Sequence, residues 1–217
     1  MELVLVADPM CSWCYGFAKE LEILLDRHQS ASLSIIVGGV RAGATDVLDD
    51  AGKQFRLQHW AKVEQASGVV FNREGFLGRS GFVYDTEPVC RAVVAARILR
   101  PTVDLLKVFR AFQRAFYVAA VDTTDGAVLA EAGSQALFEA GQPVTAEKFL
   151  ETWKQRTTLE ETATDFAIAR AIGVTSFPAL FLRRGGALAS VSNGFATAAE
   201  VETRLKALGA LRSDEIG

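Results

Sequence analysis

Two cysteines separated by two residues are the side chains of this sequence best placed to do chemistry. The motif at 11–14 reads Cys-Ser-Trp-Cys; it follows a short apolar run and begins a helical pattern. Residues three apart on a helix lie about 5–6 Å from each other on one face, and a disulfide joins Cα atoms roughly 4.4–6.8 Å apart. Cys11 and Cys14 can therefore pair with little movement of the backbone.

The positions of the two cysteines on the helix predict different roles. Unpaired N–H groups and the dipole at a helix N-terminus favour an anion, and the thiolate is the form of cysteine that attacks a disulfide. Cys11, at the first turn, is therefore the predicted nucleophile. Cys14, deeper in the helix, is predicted to attack Cys11 in the mixed disulfide and release the substrate, or to take part in the reverse sequence.

A zinc site and a structural disulfide are the alternative interpretations of the pair. Zinc needs two further ligands, and the candidates Cys90, His28 and His59 lack the spacing of a zinc finger. A structural disulfide is rare in a reducing compartment. We therefore predict redox chemistry and no bound metal. Cys90 lies on the apolar face of a predicted helix and is expected to be buried and inert, with a regulatory or relay thiol as the alternative.

The segment 174–178, Val-Thr-Ser-Phe-Pro, is the second feature that could belong to a site, because it leads directly into an apolar strand. A proline at the start of a strand is tolerated for purely structural reasons. A CxxC helix and a late strand led by proline also occur together in one known architecture, which predicts a cis Phe177–Pro178 bond facing the cysteines. The backbone of Phe177 could then bind an extended peptide in β fashion. Trp13 is expected beside Cys11, where it could contact the same substrate.

The elements that must position these residues are strands and helices at both ends of the chain. Residues 3–7 and 33–37 have the composition of buried strands, and the helix that starts at Cys11 lies between them. Such a β-α-β unit has parallel strands. The other end is predicted to contain a helix opened by a capping-box pattern at 158–161, a β-hairpin, and a last helix with a capping box at 197–200.

The middle of the chain, roughly 45–157, is predicted to be helical. One apolar stripe at helical spacing consists of Leu105, Phe109, Phe112 and Phe116. A stretch rich in glycine and aromatic residues, 68–84, is predicted to be a long loop that either lines a peptide groove beside Cys11 or packs on the helices. We assign residues 1–42 and 158–217 to one α/β domain and 43–157 to an inserted helical domain. No Pro- or Ser-rich linker is present, so the insertion should pack on the core.

Composition excludes several functional classes. The chain has 217 residues, half of them hydrophobic, and a net charge of −3 without a basic block or acidic tail, so neither nucleic acid nor a membrane surface is an expected partner. No apolar stretch is long enough for a bilayer span, and no secretory signal pattern is present, so the cytoplasm is the expected location. The oligomeric state is not indicated.

Together, the strand, the motif at 11–15, the long helical insertion and the segment 173–178 resemble the DsbA-like branch of the thioredoxin superfamily. The similarity is greatest to its soluble subgroup of FrnE-related disulfide isomerases, and it extends over nearly the whole chain. It implies a thioredoxin fold, a nucleophilic Cys11, a resolving Cys14 and a cis-proline at Pro178 opposite them. It implies no cofactor, with protein or peptide thiols and disulfides as substrates and thiols such as glutathione or thioredoxin as redox partners.

The sequence departs from this family pattern at two places. Oxidising members carry Pro-His between the cysteines, where this chain has Ser12 and Trp13. Many thioredoxin-like proteins have a buried acid six residues before the first cysteine, where this chain has Leu5. Asp8 is the nearest acid in the sequence. It could accept a proton or could equally serve as a turn or cap residue. Two other functions remain open: glutathione-dependent chemistry on a small molecule, as in kappa-class transferases, and a non-catalytic peptide-binding chaperone.

Overall fold

A four-stranded sheet forms the centre of the protein. In the computed structural model, which describes residues 1–211, its strands lie in the order β2-β1-β3-β4. The strands are β1 (Glu2–Ala7), β2 (Ser32–Val37), β3 (Ala179–Arg184) and β4 (Ala187–Asn193). β1 pairs parallel to β2 and antiparallel to β3, and β3 pairs antiparallel to β4. The predicted β-α-β unit and β-hairpin are thereby confirmed.

Within residues 1–211, three helices belong to the sheet-forming ends of the chain and six lie between them. The first group is α1 (Ser12–Arg27), α8 (Arg156–Ala171) and α9 (Ala198–Ala207). The second is α2 (Asp50–Ser67), α3 (Arg73–Leu77), α4 (Glu87–Leu99), α5 (Leu105–Tyr117), α6 (Gly126–Glu139) and α7 (Ala146–Lys154). This is an α/β thioredoxin fold with a large helical insertion, as predicted. Within residues 1–211, no helix combines the length and the apolar character needed to cross a bilayer.

The helical insertion packs directly on the sheet domain. Arg97 of α4 donates to both carboxylate oxygens of Asp165 on α8, at 3.0 and 3.2 Å, and to the carbonyl of Ile35 on β2. Asp165 also accepts the N–H of Val37 at 3.1 Å. This buried network holds α4, α8 and the edge of the sheet in one arrangement. The boundaries at 43 and 157 stay a prediction, and residues 212–217 lie outside the described residues.

Two local predictions were wrong. The segment 68–84 is not a continuous loop, since α3 begins after Asn72, whose side chain accepts the Gly75 N–H. The pattern at 158–161 does not open α8, which begins two residues earlier. The Thr158 hydroxyl instead donates to the carbonyl of Thr152 at 2.6 Å, a contact with α7 that a capping pattern cannot reveal. The capping box at Thr197 and Glu200 is present as predicted.

Candidate active site

Cys11 lies at the N-cap of α1, in the short connection that follows β1. Its N–H donates to the carbonyl of Asp8 at 3.1 Å, and its carbonyl accepts the N–H of Tyr15 at 3.0 Å. No side chain caps this helix end, so the free N–H groups of the first turn are directed towards the region of the Cys11 side chain. Cys11 is partly exposed. An anionic sulfur there is both stabilised by the helix end and accessible to a substrate.

Cys14 is one turn deeper and is 1% exposed. Burial raises the pKa of the Cys14 thiol well above its ordinary value, and the adjacent sulfur of Cys11 raises it further. Cys14 therefore stays protonated and buried, whereas Cys11 is accessible to a substrate. The two sulfurs are beside each other but differ in accessibility, which is the asymmetry that a nucleophile and a resolving thiol require.

The predicted proline directly precedes β3, the strand that faces the cysteines. The Phe177–Pro178 peptide bond is cis, and the carbonyl oxygen of Phe177 lies 3.9 Å from the Cys11 sulfur. The proximity follows from the sheet register, because Ala179 at the start of β3 pairs with Val6 at the end of β1. The two motifs, 166 residues apart in sequence, meet because β1 and β3 are neighbours.

Gly38 makes room for the aromatic ring beside this contact. A Cβ atom at Gly38 would come within 2.0 Å of the Phe177 ring, which is impossible without displacing the ring. Gly38 is also held to the sheet, since its N–H donates to the carbonyl of Ala7 at 2.8 Å. The glycine after β2 therefore allows Phe177 to pack close to the end of the sheet and brings its carbonyl to Cys11.

Asp8 is a fully buried carboxylic acid next to the pair. One oxygen accepts the N–H of Met10 at 2.8 Å and the other accepts the N–H of Val40 at 2.7 Å, so it has the turn role that the sequence allowed. Burial raises the pKa of Asp8 to about 6, against the opposing effect of its hydrogen bonds. Its charge in turn raises the pKa of Cys14. Asp8 and Cys14 are therefore electrostatically coupled, with the acid ionised at neutral pH.

Cys90 is completely buried on α4, as the sequence predicted. Burial raises the pKa of its thiol well above the ordinary value, and the charge of Asp8 raises it further. A buried thiol that stays protonated is a poor nucleophile. These observations favour the interpretation of Cys90 as an inert packing residue.

Aromatic side chains form a cluster behind α1. Tyr15 stacks on Tyr117 at a centroid distance of 4.8 Å and meets Phe71 edge-on at 5.4 Å. Trp60 stacks on Phe71 at 4.7 Å, and Phe76 is also buried. Of the two roles considered for the segment 68–84, packing on the insertion is the one that these contacts favour.

A cleft of about 240 Å³ opens beside Cys11 on the side of the insertion. Its lining includes Arg41 from the loop after β2, Arg56 and His59 from α2, and Tyr84 from the loop before α4. Tyr84 is the one member of the segment 68–84 that lies in this lining, in agreement with the groove role considered for that segment. Arg41, Arg56 and His59 were not predicted as part of the site. They come from distant segments with no shared motif, and the helical spacing of Arg56 and His59 is equally typical of a solvated face.

Trp13 lies half-buried on the exposed side of α1, where its ring is 5.9 Å from that of Phe195. Phe195 follows β4. The contact with Phe195 holds the Trp13 indole on this side of α1. Contact between Trp13 and a substrate stays a prediction. His28, by contrast, lies at the opposite end of α1 and contacts Glu202 on α9 at 3.2 Å.

The fold and the site together define the class of the protein. A thioredoxin sheet with a helical insertion after the β-α-β unit, a CxxC pair at the start of α1 and a cis-proline before β3 make the chain similar to the DsbA-like thioredoxin-fold proteins. The site has the arrangement of a thiol–disulfide oxidoreductase. The FrnE-related subgroup stays a prediction.

Comparisons with solved structures agree with this class. A Nitrosomonas europaea protein provisionally assigned as a protein disulfide isomerase is 29% identical, with a TM-score of 0.82 over 95% of this chain and 96% of that chain. The cytosolic disulfide reductase DsbM from Pseudomonas aeruginosa is 23% identical, with a TM-score of 0.76 over 96% and 98% of the two chains. A second DsbM structure contains glutathione.

A 2-hydroxychromene-2-carboxylate isomerase shares the fold alone. It is 11% identical, with a TM-score of 0.61 over 95% of this chain and 96% of that chain. No protein-family model and no curated protein sequence matches the chain. The assignment therefore rests on the fold, on the two motifs and on the solved structures.

Proposed function

We propose that the protein reduces disulfides, with Cys11 as the attacking thiolate and Cys14 as the resolving thiol. The observation that carries this proposal is the contrast between the two sulfurs. Cys11 is partly exposed at a helix N-terminus, and Cys14 is buried one turn below it with a raised pKa. The reductive direction is supported by the similarity to DsbM, which is described as a cytosolic disulfide reductase. The cytoplasm is the proposed location on the same ground.

The exchange requires two successive displacements at sulfur. The Cys11 thiolate attacks one sulfur of the substrate disulfide, so that a Cys11–substrate disulfide forms and the other half leaves as a thiolate. Cys14 then loses its proton and attacks the sulfur of Cys11, which releases the second half. The two thiols have now given two electrons to the substrate and are joined as the Cys11–Cys14 disulfide. Two external thiol groups, from two glutathione molecules or from the dithiol of a thioredoxin, reduce it again and are themselves oxidised to a disulfide.

Asp8 is the proposed acceptor of the Cys14 proton. Cys14 is buried with a raised pKa, so a nearby base is needed before it can attack at neutral pH. Asp8 is the buried acid whose charge acts on Cys14, and its pKa of about 6 leaves it ionised above that pH. Keeping a buried carboxylate ionised costs folding free energy, and such a cost is typical of functional sites.

Peptide substrates are proposed to bind along the backbone of Phe177. Its carbonyl is next to the Cys11 sulfur at 3.9 Å, and Pro178, which has no N–H, directly precedes β3. An extended peptide whose cysteine is attacked by Cys11 would lie along this segment and exchange main-chain hydrogen bonds with it. Trp13 would contact the same peptide from the helix side.

Replacing Cys14 by serine is expected to trap the intermediate of this reaction. The first displacement needs only Cys11, whereas serine cannot perform the second, so a Cys11–substrate disulfide should accumulate when the variant meets a peptide disulfide. Mass spectrometry of the acid-quenched protein should show close to one substrate equivalent on Cys11. The matched control is Cys90→Ser, which should accumulate none.

Turnover unaffected by Cys14→Ser would contradict the proposal and would fit glutathione-dependent chemistry on a small molecule instead.

A further inference from the structure

The cleft beside Cys11 carries positive charge and no acid in its lining. Ten residues line it, including the nucleophile itself, the cations Arg41 and Arg56, and His59, and none is Asp or Glu. A site for an uncharged substrate would not need two guanidinium groups next to the reacting sulfur. The cleft is therefore suited to a ligand that carries negative charge as well as a thiol or disulfide.

Arg56 is the arginine of this cleft that forms no ion pair within residues 1–211. Its guanidinium lies over the Tyr84 ring at 4.3 Å and donates to the carbonyl of Gly52 at 3.0 Å. Within residues 1–211, no carboxylate lies within 4.0 Å of it. Burial lowers the pKa of Arg56 and the nearby charge of Arg41 lowers it further, whereas the charge of Asp46, the partner of Arg41, acts in the opposite direction. A half-buried guanidinium held in place in this way gains from an anionic ligand.

Arg41 contributes a fixed second donor group. It makes a bidentate contact with Asp46, at 3.0 and 3.1 Å, and its Nε donates to the carbonyl of Tyr84 at 3.3 Å. Asp46 balances most of its charge but also fixes its position. Arg41 therefore shapes the cleft, and Arg56 supplies the net charge.

We propose that this cleft binds a carboxylate of a small acidic thiol or disulfide, of the glutathione type, while the sulfur of that ligand reacts at Cys11. The inference rests on the proposed function and adds the substrate class. The volume of about 240 Å³ lies below the roughly 300–1,000 Å³ of sites for drug-sized ligands. It fits one or two amino-acid residues of a small peptide and is too small for a segment of a folded protein.

The chemistry keeps the anionic half of the ligand in the cleft. With an oxidised acidic disulfide, the Cys11 thiolate forms a bond to one sulfur, the sulfur–sulfur bond breaks, and the other half leaves as a thiolate. The retained half places its carboxylate at Arg56. Attack of Cys14 on Cys11 then releases it as a second thiolate, and the Cys11–Cys14 disulfide remains.

The test compares three small disulfides that differ in charge. The fully reduced protein is mixed with oxidised glutathione, neutral bis(2-hydroxyethyl) disulfide or cationic cystamine, and the second-order rate constants are measured. Arg56→Met should slow the reaction with oxidised glutathione about tenfold, the range expected for loss of one charge-assisted hydrogen bond. It should leave the neutral disulfide unchanged and should not slow cystamine. Arg56→Lys should retain part of the preference.

Control measurements separate the ways in which the inference could fail. Arg156→Met removes an arginine that is 90% exposed on α8 and should change none of the three rates. An equal effect of Arg56→Met on all three disulfides, or no effect on glutathione, would overturn the inference. So would an effect confined to a disulfide of a long acidic peptide. If the wild type reacts with none of the three, the proposed function itself fails.

Discussion

Replacing Cys11 by serine is expected to reduce disulfide exchange to the uncatalysed level. A serine hydroxyl does not ionise near neutral pH and cannot form a disulfide, so both displacements are lost. We expect the rate of insulin reduction to fall by at least about 1,000-fold, which corresponds to roughly 4 kcal/mol in activation free energy. The thermal stability should change little, because Cys11 is partly exposed and its side chain caps no helix N–H.

The control for this variant is Cys90→Ser in the same assay. Cys90 is fully buried on α4 and performs no displacement in the proposed reaction, so Cys90→Ser should retain most of the specific activity of the folded protein. Any change should act through its side-chain hydrogen bond to Asp8 and should be far smaller than the loss in Cys11→Ser. If Cys11→Ser retains full activity, Cys11 is not the nucleophile. A non-catalytic chaperone would still suppress aggregation when both Cys11 and Cys14 are replaced by serine, and an aggregation assay on that double variant tests this alternative.

Replacing Asp8 by asparagine is expected to slow the second displacement about 100-fold at pH 7.5, a magnitude typical of lost general-base catalysis. The pKa of Asp8 is raised to about 6 by burial, so the wild-type carboxylate is ionised and able to accept the Cys14 proton above that pH. The variant has no such base, and Cys14 must ionise unaided. The first displacement, which uses Cys11 alone, should be much less affected.

The pH profile of single-turnover release distinguishes a proton acceptor from a merely structural residue. For the wild type, the release of substrate from the mixed disulfide should increase as the pH rises through about 6. For Asp8→Asn, the increase should be displaced to strongly alkaline pH, because the pKa of Cys14 is itself raised by burial. A variant whose rate is lower at every pH with an unchanged profile would show that Asp8 only holds the turn at Met10 and Val40.

Features encoded in local sequence could be predicted. β1 is a run of Val and Leu because it is buried on both faces, and Cys11 and Cys14 follow it at the spacing that a helix start requires. The apolar stripe of α5 was equally clear, since three of its four members are completely buried or nearly so. For Pro178, the family resemblance supplied what composition alone could not.

Features that depend on contacts between distant segments could not be predicted. Arg41 and Arg56 meet beside Cys11 only because the insertion packs against the start of α1, and no periodicity relates them. The position of Gly38 under the Phe177 ring likewise arises from tertiary packing. At Thr158 the local pattern was misleading, because a hydrogen bond to α7 replaced the expected cap.

The central claim, a reversible redox pair of Cys11 and Cys14, is tested most directly by equilibrating the protein in a series of reduced and oxidised glutathione mixtures. After rapid thiol blocking, peptide mapping should show a single disulfide between Cys11 and Cys14, formed in one two-electron transition, with Cys90 remaining a thiol. Its midpoint should lie nearer about −270 mV than about −120 mV if the protein is a reductant. A disulfide that includes Cys90, or no disulfide between Cys11 and Cys14 in any mixture, would contradict the account.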